Sequence, residues 1–167
     1  MSDYLVRDRI DSYPTRAISG YGVRAGRPVP LGASMVPGGV NFAVYSDHAT
    51  ALTLVLYRRG ERQPMVEIPI PPEFRLGSIH SIIVYGLDYD DLEYGYRADG
   101  PWDPAAGMRF DGSRVLADPY ARLVTGRDVW DRPPDWSEPY QYRSRLLFDD
   151  FDWEDDRPLR RPLDELV

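Results

Sequence analysis

Ala51-Leu52-Thr53-Leu54-Val55-Leu56-Tyr57 is a strand in which Leu52, Leu54 and Leu56 share one face, because successive side chains of an extended chain point to opposite sides. Just upstream, Gly38-Gly39 signals a turn, and Val40-Asn41-Phe42-Ala43-Val44-Tyr45-Ser46 alternates with Val40, Phe42 and Val44 on one side. Downstream, Arg58-Arg59-Gly60-Glu61 supplies another turn before the short strand Met65-Val66-Glu67-Ile68-Pro69-Ile70. Pro69 has no N–H to give to a ladder, which predicts an edge position for that strand. Ile79–Tyr85 and Leu92–Ala98 complete a set of five, the last with Leu92, Tyr94 and Tyr96 facing one way. Five strands of period two, with turn signals between most of them and no helix-length pattern, predict an all-β sandwich.

Outside these strands the periodicity fades. Residues 1–35 read as a polar, Gly- and Pro-containing lead-in, 36–123 as the sandwich domain, and 124–167 as a turn-rich extension or linker. Gly20-Tyr21-Gly22-Val23-Arg24-Ala25-Gly26 has one residue too many before its third glycine to be a dinucleotide fingerprint, and no apolar strand precedes it. Asp99 to Arg122 is turn-rich and aromatic. The acidic run Asp149–Asp156 reads as a solvated linker, since like charges face water.

The composition removes whole classes of chemistry. The 167 residues carry 20 basic against 27 acidic side chains, a net charge of −7, which argues against nucleic acid as a partner. Without cysteine there is no thiolate nucleophile or Cys-ligated metal, and all 20 basic residues are arginine, which excludes Schiff-base and P-loop lysines. His48 and His80 are the whole histidine complement, too few for a multi-histidine metal site. No apolar run approaches the roughly 20 residues that span a bilayer, and the N-terminus lacks a signal-peptide core. These features predict a cytoplasmic chain with no cofactor, no metal and no membrane partner. Asp88-Tyr89-Asp90-Asp91 resembles the start of a calcium loop but lacks its glycine and later glutamate, so it reads as a turn. There is no Gly-x-Ser-x-Gly elbow, and no carboxylate pair stands out as catalytic. Aromatics are 13% of the chain; Trp102, Trp130, Trp136 and Trp153 all lie outside the predicted strands, where flat rings suit either packing or the apolar face of a sugar.

Three stretches, in order, carry a family resemblance. The first is Pro30-Leu31-Gly32-Ala33 followed by Gly39–Ser46 and Ala49-Thr50. The second is Tyr94-Gly95-Tyr96-Arg97 leading into Gly100-Pro101-Trp102-Asp103-Pro104 and Gly107-Met108-Arg109-Phe110. The third is Asp118-Pro119-Tyr120-Ala121-Arg122. Over residues 19–167 the sequence resembles the N-terminal domain of bacterial glycogen debranching enzymes and isoamylases, the carbohydrate-binding-module-48 type. The resemblance implies an immunoglobulin-like sandwich that precedes a glycoside hydrolase family 13 barrel acting on α-1,6 branch linkages, with every catalytic carboxylate in the barrel. It implies two partners: that barrel, and an α-glucan such as glycogen, amylopectin or a maltooligosaccharide. A non-catalytic scaffold is the leading reading and an autonomous glucan-binding module the alternative. Starch-binding members of the wider family present tryptophans and a lysine; this sequence has no lysine and no tryptophan before position 102.

The candidate glucan-binding residues are therefore Trp102, Trp130 and Trp136. Arg97, Asp99, Asp103, Arg109, Asp118 and Tyr120 are expected to form a rigid loop scaffold, with the Arg97 fork tying Asp99, Asp103 or Asp118 together. The extension is expected to lie against a barrel and to expose Trp130, Trp136, Tyr140, Tyr142, Leu146, Leu147, Phe148, Phe151 and Trp153 without it. Cleavage after about residue 124 should then leave a stable sandwich.

Overall fold

The computed structural model describes residues 13–125, 131–133, 142–147 and 154. In chain order the strands are β1 (Arg16–Ile18), β2 (Tyr21–Ala25), β3 (Gly32–Val36), β4 (Gly39–Tyr45), β5 (Ala51–Arg58), β6 (Val66–Pro69), β7 (Arg75–Leu76), β8 (Ile79–Tyr85), β9 (Leu92–Asp99), β10 (Trp102–Asp103), β11 (Met108–Arg109), β12 (Leu123–Thr125) and β13 (Arg143–Arg145). One antiparallel sheet runs β1-β2-β8-β4-β3, with β7 also on β8; the second runs β12-β13-β9-β5-β6. The hairpin β10-β11 stands apart.

The two sheets bury the rows that alternation marked. Val40, Phe42, Val44, Ile82 and Val84 from the first meet Leu52, Leu54, Leu56, Ile68, Tyr94 and Tyr96 from the second in one cluster. Phe42 and Tyr94 meet edge to face across the gap, centroids 5.1 Å apart. Burial of such side chains supplies about 1.5–3 kcal/mol apiece. Pro69 lies opposite Thr53 on β6, which is the edge strand its chemistry requires.

Both outer faces carry further cover. Gly26 crosses β8 so closely that a Cβ there would lie 2.6 Å from the Ile82 backbone nitrogen. Beside it the Asn41 side chain accepts from the Arg27 N–H at 2.7 Å and donates to the Arg27 carbonyl at 3.1 Å. The third glycine of the fingerprint-like stretch thus serves backbone packing. On the other sheet Val115 covers Val55 and Tyr57, and Leu116 exchanges both backbone hydrogen bonds with Tyr96. Gly95 makes this approach feasible, since a Cβ there would sit 2.6 Å from Val115 Cγ1.

Two regions differ from the sequence expectation. Part of the expected lead-in forms β1, β2 and the start of β3, pairing into the first sheet. Part of the expected extension forms β12 and β13, and β13 pairs directly with β9. Leu146, expected to be exposed, is 6% exposed and belongs to the core. Tyr142 and Leu147 are exposed as expected, while Trp130, Trp136, Tyr140, Phe148, Phe151 and Trp153 lie outside the described residues. The reason is visible in β13: Arg143-Ser144-Arg145 has no apolar alternation, yet Arg143 is buried because it donates to Glu93 at 3.1 Å and stacks 3.9 Å above the Tyr57 ring. Arg143 also donates to the Glu61 carbonyl.

Candidate functional site

Beyond Asp99 the chain turns into a small platform. Trp102 pairs with Arg109 and Asp103 with Met108, so the indole and the guanidinium leave the hairpin on the same side. Asp103 closes the platform by accepting from the Ala106 N–H at 3.2 Å, and Gly107 turns back with φ 81°. Phe110 packs beneath, on the core. Trp102 is 66% exposed, while the hairpin pairing holds its backbone. An exposed ring beside a fork-shaped donor matches a sugar's apolar face and hydroxyl rim. Trp130 and Trp136 lie outside the described residues.

The scaffold is held differently from the expectation. Arg97 takes none of Asp99, Asp103 or Asp118; it pairs with Glu67 at 3.2 Å and donates to the carbonyls of Gly112 and Ser113. The β5–β6 register explains this, because it sets Glu67 opposite Val55 on the same outer face as Arg97. Asp99 lies over Gly112, where a Cβ would meet its carboxylate.

Asp118 is the buried centre of the scaffold at 3% exposure. It accepts from the Tyr94 hydroxyl at 2.9 Å and from the Tyr120 N–H at 2.8 Å, while its own N–H donates to Ser144 Oγ at 2.8 Å. The carboxylate thereby ties β9 to the 118–120 turn, and the backbone N–H of the same residue ties that turn to β13. Sequence reading named Asp118 and Tyr120 but missed Tyr94, Ser144 and Glu67, whose roles depend on register. Burial raises the Asp118 carboxyl above its ordinary value, only partly offset by the Tyr120 N–H and the Tyr94 hydroxyl. Among the described residues no three His, Asp or Glu side chains are placed to hold a metal.

His80 is also buried, and its Nε2 has no partner among the described residues. Burial, then the Arg75 charge, lower its pKa from 6.5, against the Ser46 backbone. The unfolded chain therefore takes up the proton first, so His80 leaves stability intact above about pH 6.5 and removes it as pH falls toward the folded value. Asp118 acts with the opposite sign: between 3.8 and its raised value the folded form binds the proton first, and stability falls as pH rises. Urea unfolding from pH 7 to about pH 5 is expected to show a falling midpoint in the natural chain and a flatter profile in His80→Gln. Equal slopes refute the assignment.

A family profile described as "Carbohydrate-binding module 48 (Isoamylase N-terminal domain)" matches residues 30–121. The chloroplastic Isoamylase 1 of Oryza sativa subsp. japonica is 38% identical over 152 residues, covering 87% of this chain and 19% of that protein. The glycogen debranching enzyme of Klebsiella pneumoniae (strain 342) is 35% identical over 153 residues, covering 86% and 22%. The chain thus spans about a fifth of the length of these curated relatives. Among solved structures, the GBS pullulanase SAP in complex with maltotetraose aligns with TM-score 0.53 at 16% identity, over 71% of this chain and 14% of that one. The catalytic module of the glycogen-degrading pneumococcal virulence factor SpuA aligns with TM-score 0.51 at 14% identity, over 74% and 17%. At such identities these two speak for the fold alone.

Proposed function

The chain belongs to the carbohydrate-binding module 48 (isoamylase N-terminal domain) family, and from that premise we propose that it is the non-catalytic accessory domain of an α-1,6-glucan debranching enzyme, scaffolding a catalytic barrel in the cytoplasm. The observation that carries this reading is the 35–38% identity to debranching enzymes and isoamylases over a segment that makes up only 19–22% of them. The margin of the second sheet supports it. Among the described residues β12 has no strand beyond it, and Leu116, Leu123, Val124 and Leu147 are exposed along that side. An open strand edge with apolar side chains is the kind of surface a neighbouring domain covers.

Glucan binding is the second reading, favoured by the exposed Trp102 opposite Arg109. The two are separated by two assays on the full chain. Incubation with pullulan or limit dextrin is expected to release no reducing ends; turnover abolished by substituting an acid within these residues overturns the accessory role. Electrophoresis in glycogen-containing gels reads binding: retardation lost in Trp102→Ala supports the platform, whereas mobility equal to a glycan-free gel leaves scaffolding as the role.

A further inference from the structure

The antiparallel register of β5 and β9 places Asp99, and the Trp102 hairpin after it, at one end of the sandwich, and Arg58 with Leu92 at the other. Seven residues at about 3.4 Å each separate those ends by roughly 24 Å. The far end is not closed. Tyr21, Tyr57, Arg58, Met65, Gly86, Asp88, Asp91 and Leu92 line a cleft of about 180 Å³ between the sheets. We propose that this cleft is a second saccharide site, distinct from the Trp102 platform, that takes one neutral hexopyranose ring of an oligosaccharide.

Its electrostatics select the ligand. Arg58, Asp88 and Asp91 are exposed and make no side-chain hydrogen bond or ion pair among the described residues, so their donors and acceptors remain open to a ligand. Two carboxylates disfavour an anion. They are also too few for a calcium ion, which takes six to eight oxygens, and the Arg58 guanidinium repels a cation. A ring of hydroxyls, each both donor and acceptor, satisfies all three charges at once. The half-buried Tyr21 ring and the exposed Met65 thioether offer an apolar wall for the C–H face. At about 180 Å³ the cleft is well short of a drug-sized pocket, which suits a single ring.

The cleft is also built before any ligand arrives. The Arg59 N–H donates to the Asp91 carbonyl at 2.9 Å and the Gly86 N–H to the Gly38 carbonyl at 3.3 Å, tying both ends of the 86–91 loop to neighbouring turns. Across the sheets the Tyr21 hydroxyl donates to Met65 Sδ at 3.8 Å. Preorganised walls reduce the ordering cost of binding a weakly held sugar.

The choice of an α-linked probe rests on the debranching-enzyme reading; the ring class rests on the lining. Maltotriose titrated into the isotope-labelled full chain is expected to shift the amides of Tyr21, Arg58 and Gly86–Leu92. Replacing both Arg58 and Asp91 (Arg58→Ala, Asp91→Asn), two exposed side chains whose loss leaves the core intact, should weaken that binding at least about tenfold. In Trp102→Ala the same amides should shift with unchanged affinity. Shifts confined to residues 100–110 overturn the second site and leave the glucan-binding reading standing. Shifts at the cleft that the double substitution does not weaken overturn the assigned residues. No shift anywhere overturns the second site together with glucan binding, while the scaffold reading, judged by the hydrolysis assay and the family match, survives it.

Discussion

A chain cut after Val124 is expected to unfold at a much lower urea concentration than the full 167 residues, with a loss on the order of 5 kcal/mol from the 5–15 kcal/mol typical of a domain. The cut removes β13, and with it Leu146 from the core, Arg143 from the face of Tyr57, and Ser144 from the Asp118 N–H. Glu93, itself 4% exposed, loses its cation. Breaking a buried pair from one side costs about 3–5 kcal/mol by itself. The control is Leu147→Ala, an exposed position of the same segment, which should change the midpoint little. Equal midpoints for the cut and full chains would mean that β13 is attached to the sandwich without supporting it.

Tyr94→Ala is the single substitution with the largest expected effect, about 4–5 kcal/mol by equilibrium unfolding. The ring packs edge to face on both Phe42 and Tyr96, at 5.1 and 6.0 Å between centroids, and is completely buried. Its hydroxyl also donates to the buried Asp118. Tyr94→Phe separates the two roles: it keeps the packing, loses about 1–3 kcal/mol, and raises the Asp118 carboxyl further by removing a donor to its charged form. A Tyr94→Phe loss as large as that of Tyr94→Ala would place the energy in the hydrogen bond and not in the packing of the rings.

These two expectations fall on opposite sides of what could be read in the sequence. Tyr94 stood in a row with Leu92 and Tyr96, and the alternation alone assigned its face. Glu93, its neighbour, follows the same alternation onto the outer face, where sequence logic gives a carboxylate to water. In the folded chain that outer face is covered by Arg143, which arrives from fifty residues away. The Arg97 fork shows the same limit at shorter range. Three aspartates stand close to it in sequence, yet the β5–β6 register delivers Glu67 instead.

The sequence by itself determined the five central strands, their inward rows, the edge position forced by Pro69, and the family through three ordered motifs. Those features are local, because period-two alternation and the missing N–H of proline act within a few residues. Only the tertiary structure decided that polar pieces such as Arg143-Ser144-Arg145 are strands, that Asp118 joins three segments, and that the sandwich carries a cleft at the end away from Trp102. Each of these depends on which distant groups meet. A buried arginine or aspartate is tolerable only when a partner is supplied across the fold, and no alternation pattern records where that partner comes from.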